Sequence, residues 1–342
     1  MERRGHHRRD GIGLPEKVES ERRVTHPCVM QQLAVNFAGK FPAPRRPIWF
    51  FSALLVFCLH TFADPVQPPL PADVTMNKDA GRGGFLFVTL RLEDGAELPF
   101  IVDTGSPATY LSKSLESKLG NRLGTWTFSK YGKQTSGRYL APRLYLGNTM
   151  LMTGTNIFTF DFTQLSSRSG HPIMGVLGLD CLRHYCIQLD FETGTLRFLG
   201  SNRVDTAHLG KAFPLTFSSL NQNDTNQWDI YPLIDQSNLA GGNSAGLVID
   251  TGCNIDGLVE RGAAKEQATR LPEVVWDEET YTNIHVGIER INALGLRFLA
   301  RHLVTLDFPD RMMYLEQTSV GPLVVEKKDN MPTNSMQPAG KK

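Results

Sequence analysis

The sequence carries almost no net charge: 36 lysines and arginines face 35 aspartates and glutamates in 342 residues. That balance excludes a binding mode built on global electrostatic attraction, so nucleic acid and acidic polymers are not expected partners. Cysteine is scarce as well. Of 5 cysteines, Cys28 and Cys58 precede the expected mature start, which leaves Cys181, Cys186 and Cys253, with no CxxC pair among them. Three thiols close at most one bridge, so a disulfide framework is excluded. No apolar run approaches the roughly twenty residues of a comfortable membrane span. The histidines lack HExxH or any similarly close ligand spacing, so neither a metal nor another cofactor is expected. Gly81-Arg82-Gly83-Gly84 and Gly241-Gly242 lack the strand, lysine and helix that would make a phosphate loop.

One apolar run does stand out, Ile48 to Leu59, preceded by Arg45-Arg46 and followed by Thr61-Phe62-Ala63. This is the order of a secretory signal, too short for a span. Residues 1–63 read as a signal peptide with an extended n-region, cleaved after Ala63, with Met30 as an alternative start. An uncleaved signal anchor and a twin-arginine export signal are the other readings. The expected compartment is therefore secreted or periplasmic, with no stable membrane span after cleavage. Residues 64–80 form a proline-rich linker and residues 318–342 a polar, disordered tail.

Between those ends the texture is of short apolar runs separated by turn signals, which predicts a predominantly β protein. Phe85 to Leu92 and Leu98 to Val102 flank Glu93-Asp94-Gly95, a hairpin signal. Further runs lie at 143–146, 156–160, 187–191, 195–199, 213–217, 230–234, 303–308 and 312–315. Helical pattern is limited to Leu111–Leu119, stopped by Gly120, and Val259–Arg270, stopped by Leu271-Pro272, with short turns at Leu179–His184 and Leu296–His302.

The chain repeats itself. Leu177 to Phe191 lies over Leu294 to Phe308 without a gap, with seven of fifteen positions identical, and Leu98 to Val102 answers Gly246 to Ile249. Each of the latter runs leads into an Asp-Thr-Gly triplet, Asp103-Thr104-Gly105 and Asp250-Thr251-Gly252. The copies predict two lobes, 81–205 and 206–317. They are unequal, since the second has about thirty fewer residues between its triplet and its Leu-Gly, the length of a long hairpin plus a strand.

A single Asp-Thr-Gly usually means a turn. Two copies at matching places, each after a buried-type strand, call for chemistry. Two carboxylates held close cannot both ionise, so the pair shares a proton. One member can then activate a water while the other protonates a carbonyl. Glycine allows a tight backbone beneath the carboxylate, and a buried threonine hydroxyl can bridge the lobes.

With these motifs the region from Gly83 to Leu315 resembles the retropepsin-like aspartic peptidases, doubled in one chain as in the pepsin-like enzymes. The resemblance implies an all-β, two-lobed aspartic protease fold with a few short helices and the active site between the lobes. It implies a peptide or protein substrate and a monomer. Asp103 and Asp250 would be the catalytic dyad, supported by Thr104, Gly105, Thr251 and Gly252. Val176-Leu177-Gly178 and Ala293-Leu294-Gly295 would be the strands that thread the triplet loops. Ser106 matches the hydroxyl residue after the triplet and would donate to Asp103. Cys253 departs from the pattern where Ser, Thr or Ala is usual. It reads as a small buried filler or as a redox-sensitive group, and it would leave Asp250 the more easily protonated carboxylate. A flap is implied within Gly124 to Tyr139, its tip near Tyr131 and Gly132. Tyr131 would cover the substrate or simply decorate a loop. The shorter second copy would then lack a flap.

Two rivals remain at this stage. A catalytically degenerate peptide- or protein-binding module would keep the fold without turnover, and hydrolysis of a glycosidic bond would use the same carboxylates at wider separation. Asp190 and Asp307, each in a Leu-Asp-Phe, are expected to make turn or strand-end hydrogen bonds rather than a second dyad.

Overall fold

Alternation builds the strands that carry the first triplet. In Phe87–Arg91, Val88 and Leu90 turn inward while Thr89 faces out, and the strand pairs antiparallel with Glu97–Val102 in the register Leu90↔Leu98. Gly95, at φ +86°, makes the turn between them, and Asp94 Oδ1 accepts the Ala96 amide at 2.9 Å. Glu97–Val102 then runs apolar into Asp103 because both its faces are covered. A computed structural model of the chain describes residues 69–128, 134–200, 205–218, 230–242, 246–261 and 270–325. The signal segment and the candidate flap residues Tyr131 and Gly132 lie outside the described residues.

The protein is all-β, with three sheets and a few short helices. Six strands of one lobe match six of the other in order. In the first lobe the order is Gln134–Leu140, Asn156–Phe160, Tyr110–Ser112, Gly175–Leu177, Glu97–Val102, Phe87–Arg91. In the second it is Arg270–Trp276, Glu279–Glu289, Gly257–Glu260, Ala293–Gly295, Leu247–Asp250, Tyr231–Ile234. Strand directions match too: Tyr110–Ser112 runs parallel to Asn156–Phe160, as Gly257–Glu260 does to Glu279–Glu289. The duplication in sequence is therefore a duplication of the sheet.

A third sheet joins the lobes. Its central pair, Cys186–Asp190 and His302–Asp307, comes from the two repeated segments and is antiparallel with Cys186 opposite Asp307. Asp190 Oδ1 accepts the Thr193 amide and Asp307 Oδ1 the Asp310 amide, at 2.9 and 3.1 Å. Both aspartates thus cap the turn that ends their strand, the structural role expected for them. Val74–Thr75 adds an edge strand against Thr195 and Leu196. Residues 74–80, assigned to the linker by their composition, are therefore part of the fold, with Met76 and Ala80 buried. The start of the tail also packs back, since Thr318 and Ser319 donate their amides to the Arg301 carbonyl.

Two helical expectations change. Tyr110–Ser112 is a strand and only Lys113–Lys118 is helical, as a 3-10 turn before Gly120 at φ +70°. The strand wins because the Gly175–Leu177 strand pairs with it. In the stretch expected to be helical from Val259 to Arg270, residues 259 and 260 belong to the strand Gly257–Glu260, Arg270 opens another, and 262–269 lie outside the described residues. The short turns at Leu179–Leu182 and Leu296–Leu299 are helical.

Between Tyr110–Ser112 and Asn156–Phe160 the first lobe inserts the 3-10 turn, the strand Gly124–Phe128 and the small hairpin Tyr145–Leu146 and Thr149–Met150. Among the described residues, the second lobe has only Arg270–Trp276 in the equivalent interval. Gly124–Phe128 and Gln134–Leu140 pair as a hairpin in the window where a flap was expected.

Candidate active site

Each triplet sits where its strand leaves the sheet and a second strand threads past it. Gly175–Leu177 lies parallel to Glu97–Val102 and antiparallel to Tyr110–Ser112, so it passes between the two strands that flank the first triplet. Ala293–Gly295 does the same between Leu247–Asp250 and Gly257–Glu260. The glycines that end these elements cannot be replaced without a clash. A Cβ on Gly178 would lie 2.2 Å from the Ala108 carbonyl oxygen, and one on Gly295 2.2 Å from that of Ile255. The amide after each glycine also locks the loop: Leu179 N–H donates to the Ser106 carbonyl and Leu296 N–H to that of Cys253, at 2.7 and 2.6 Å. Ser106 and Cys253 are thus structurally equivalent.

The threonines tie one loop to the other. Thr104 N–H donates to Thr251 Oγ1 at 3.0 Å and Thr251 N–H to Thr104 Oγ1 at 3.1 Å. Each hydroxyl then donates onward across the interface, Thr104 to the Ile249 carbonyl at 2.6 Å and Thr251 to that of Val102 at 2.8 Å. Four buried bonds with reciprocal partners fix the two loops in register.

That register brings Asp103 and Asp250 together. Both are fully buried. A Cβ on Gly252 would lie 2.3 Å from Asp103 Cγ, and one on Gly105 2.6 Å from Asp250 Cγ, so each triplet's glycine lies against the opposite carboxyl group. The Gly252 amide donates to Asp250 Oδ1 at 2.9 Å. The Asp250 carboxyl favours the protonated form of Asp103, whereas the Gly105 and Ser106 amides favour its charge. Burial, and then the Asp250 charge facing it, hold Asp103 well above the usual carboxylate range. The raised pKa of Asp103, beside an Asp250 that accepts the Gly252 amide, runs against the expectation drawn from Cys253 that Asp250 is the more easily protonated carboxylate.

Ser106 is buried at the site, but its hydroxyl donates to the Ala108 carbonyl at 2.8 Å rather than to Asp103. Asp103 loses a donor by that rotation, which agrees with its raised pKa. Cys253 is buried and not in a disulfide, and a Cβ on Gly295 would lie 3.1 Å from its Sγ. Crowding of this kind suits the filler reading.

The loops beyond the triplets hold residues that the motif reading passed over. In the first lobe Thr109 donates to Asp180 Oδ1 at 2.6 Å; in the second, Asp256 takes the Thr109 position and accepts from Arg297, which stands at the Asp180 position. Asp256 also accepts from Arg301 Nη2 at 2.8 Å and from the His285 amide at 2.8 Å. The exchange of an acid for a base at 180 and 297 was visible in the aligned repeats as a swap of charge. Beside this cluster a cavity of about 540 Å³ opens, lined by Asn254, Arg270, Asn283, Arg297 and, from the first lobe, Gly83 among others.

No family model matches this chain, and a search of curated proteins finds no match. Among solved structures, Basic 7S globulin from soybean is similar with a TM-score of 0.47 and 10% sequence identity, over 74% of this chain and 96% of that one.

Proposed function

We propose that this chain is an aspartic endopeptidase that hydrolyses peptide bonds with a water activated between Asp103 and Asp250. The observation that carries the reading is the pair of buried carboxyl groups, each backed by the other triplet's glycine and so close that the charge of Asp250 raises the pKa of Asp103. Ionised Asp250 takes a proton from water as the oxygen attacks the scissile carbonyl carbon, while Asp103 gives its proton to the carbonyl oxygen. In the collapse, Asp250 passes its proton to the leaving nitrogen and Asp103 recovers one from the diol. A glycosidic reaction fits less well, because its carboxyls stand about 5 Å apart or more, beyond the reach of a shared proton. The Arg45–Ala63 segment makes an exported enzyme, secreted or periplasmic, part of this reading.

The test is cleavage of a denatured protein substrate across pH by the native chain and by Asp103→Asn and Asp250→Asn. Each substitution is expected to reduce turnover by roughly 10²- to 10⁴-fold, the contribution of a positioned acid or base. Full activity in either variant would sink the proposal. The second reading, a peptide-binding module without turnover, is favoured by the Ser106 hydroxyl being spent on Ala108. Tight binding of a transition-state-mimicking peptide by a native chain that cleaves nothing would select it.

A further inference from the structure

We infer that the cavity beside the second triplet is a carboxylate-binding subsite for peptides, with Arg270 and Arg297 as its cationic groups and Asn254 as an acceptor for a peptide N–H. The inference rests on the reading of the cleft as a peptide site, but not on turnover.

Position comes first. Asn254 and Ile255 line the cavity and belong to the loop that leaves Asp250-Thr251-Gly252, so the cavity adjoins the dyad along the chain. Asn254 Nδ2 donates to the Gly83 carbonyl of the first lobe at 2.9 Å, which puts the cavity on the seam between the lobes. That bond also fixes the amide's orientation, because a carbonyl accepts only from the NH₂ end. Asn254 Oδ1 is left buried with no partner, in a side chain only 9% exposed. A buried acceptor without a donor is costly and rare. Asn254 lines the cavity, so a small turn of its side chain would offer this acceptor to a peptide N–H there.

Charge comes second. The carboxylate of Asp256 accepts from Arg297, Arg301 and the His285 amide, so its charge is already paired with two guanidinium groups. Two guanidinium groups against that one carboxylate leave the cluster positive. Arg297 spends Nη1 on Asp256 and on the Asn283 carbonyl, and its remaining donors have no partner among the described residues. Arg270 is exposed at the cavity wall and makes no ion pair among the described residues. Two guanidinium groups with spare donors around a cavity suited to one or two side chains match a carboxylate, which guanidinium can grip with two parallel bonds. The carboxylate has two sources, an internal aspartate or glutamate of the substrate, or the free C-terminus of a peptide.

Matched fluorescent decapeptides test this, with a single Glu exchanged for Gln at each position in turn and the C-terminus amidated. A second set has no acidic residue and a free or amidated C-terminus. Binding is measured on the full-length Asp103→Asn chain, and kcat/KM on the native chain. At one position, Glu is expected to bind roughly ten- to hundredfold tighter than Gln, the span of a hydrogen bond to a charged group. If the terminus is the source, the free carboxylate shows that preference instead. Arg270→Gln, an exposed change that leaves the fold intact, is expected to reduce the preference for the carboxylate severalfold. Equal binding of every Glu and Gln pair and of both termini overturns the subsite, even if the peptides are cleaved. A preference for the carboxylate without cleavage keeps the subsite and overturns the peptidase reading.

Discussion

Thr104 and Thr251 exchange hydrogen bonds across the lobes, each taking the other's backbone N–H on its hydroxyl at 3.0 to 3.1 Å. Removing one hydroxyl breaks a bond it accepts and a bond it donates, and strands a buried amide and a buried carbonyl. Thr104→Ala is therefore expected to lower stability by about 2–4 kcal/mol, and to reduce turnover because the two carboxyls lose their common register. Thr104→Ser keeps the oxygen and should recover most of both. Urea unfolding with parallel kinetics checks this. An Ala variant as stable and active as the native chain would mean that the lobes are held in register by the shared sheet alone.

What the sequence made legible follows from where its constraints are local. The triplets, the Leu-Gly threading elements and the repeated Leu-Asp-Phe strands were readable, because tight turns and buried strands restrict residue type position by position. The hairpin Arg270–Trp276 and Glu279–Glu289 was not. Its turn is made by Asp277 and Glu278 at φ 50° and 69°, where glycine or asparagine would have announced it. The burial period then slips, with Tyr281 and Ile284 both inward around Asn283 at φ 53°. A strand whose burial alternation breaks in the middle does not read as a strand. The orientation of Ser106 was hidden for another reason: a hydroxyl chooses between nearby acceptors by a single rotation.

Asp103 makes the stability of the protein depend on pH in a particular direction. Its folded pKa is raised well above the usual carboxylate value by burial and by Asp250. The stability it contributes is thus fully present below the unfolded value, near 4, and is lost as pH rises through the folded value. Asp103→Asn, which imitates the protonated acid, should remove that loss. Melting temperatures of the native chain and the variant, compared from pH 4 to 8, are expected to diverge with rising pH in favour of the variant. Parallel profiles would show that the proton is not held on Asp103. The same deprotonation should set the alkaline limb of kcat/KM, since the diad then has no acid to give.

His302 works against Asp103 over part of the same range. It is 1% exposed at the start of the strand His302–Asp307, with Nδ1 3.2 Å from the Phe298 carbonyl and Nε2 2.8 Å from Tyr281 Oη. Burial, with the Arg301 charge adding to it, pushes its pKa down to about 4. Between that value and an unfolded value near 6.5 the unfolded chain takes up the proton first. The stability is therefore whole above the unfolded value and is lost as pH falls towards 4, by up to about 3 kcal/mol. His302→Gln keeps a polar side chain without the charge and should abolish this acid loss. Unfolding free energies of both chains at pH 7.5, 5.5 and 4 are expected to converge as the pH falls, and a constant gap would overturn the assignment. Because His302 lies in the sheet that joins the lobes, its protonation loosens the seam on which the dyad depends. If Asp103 acts as the proposed acid, its working pH range is then bounded below by a histidine that lies outside the dyad.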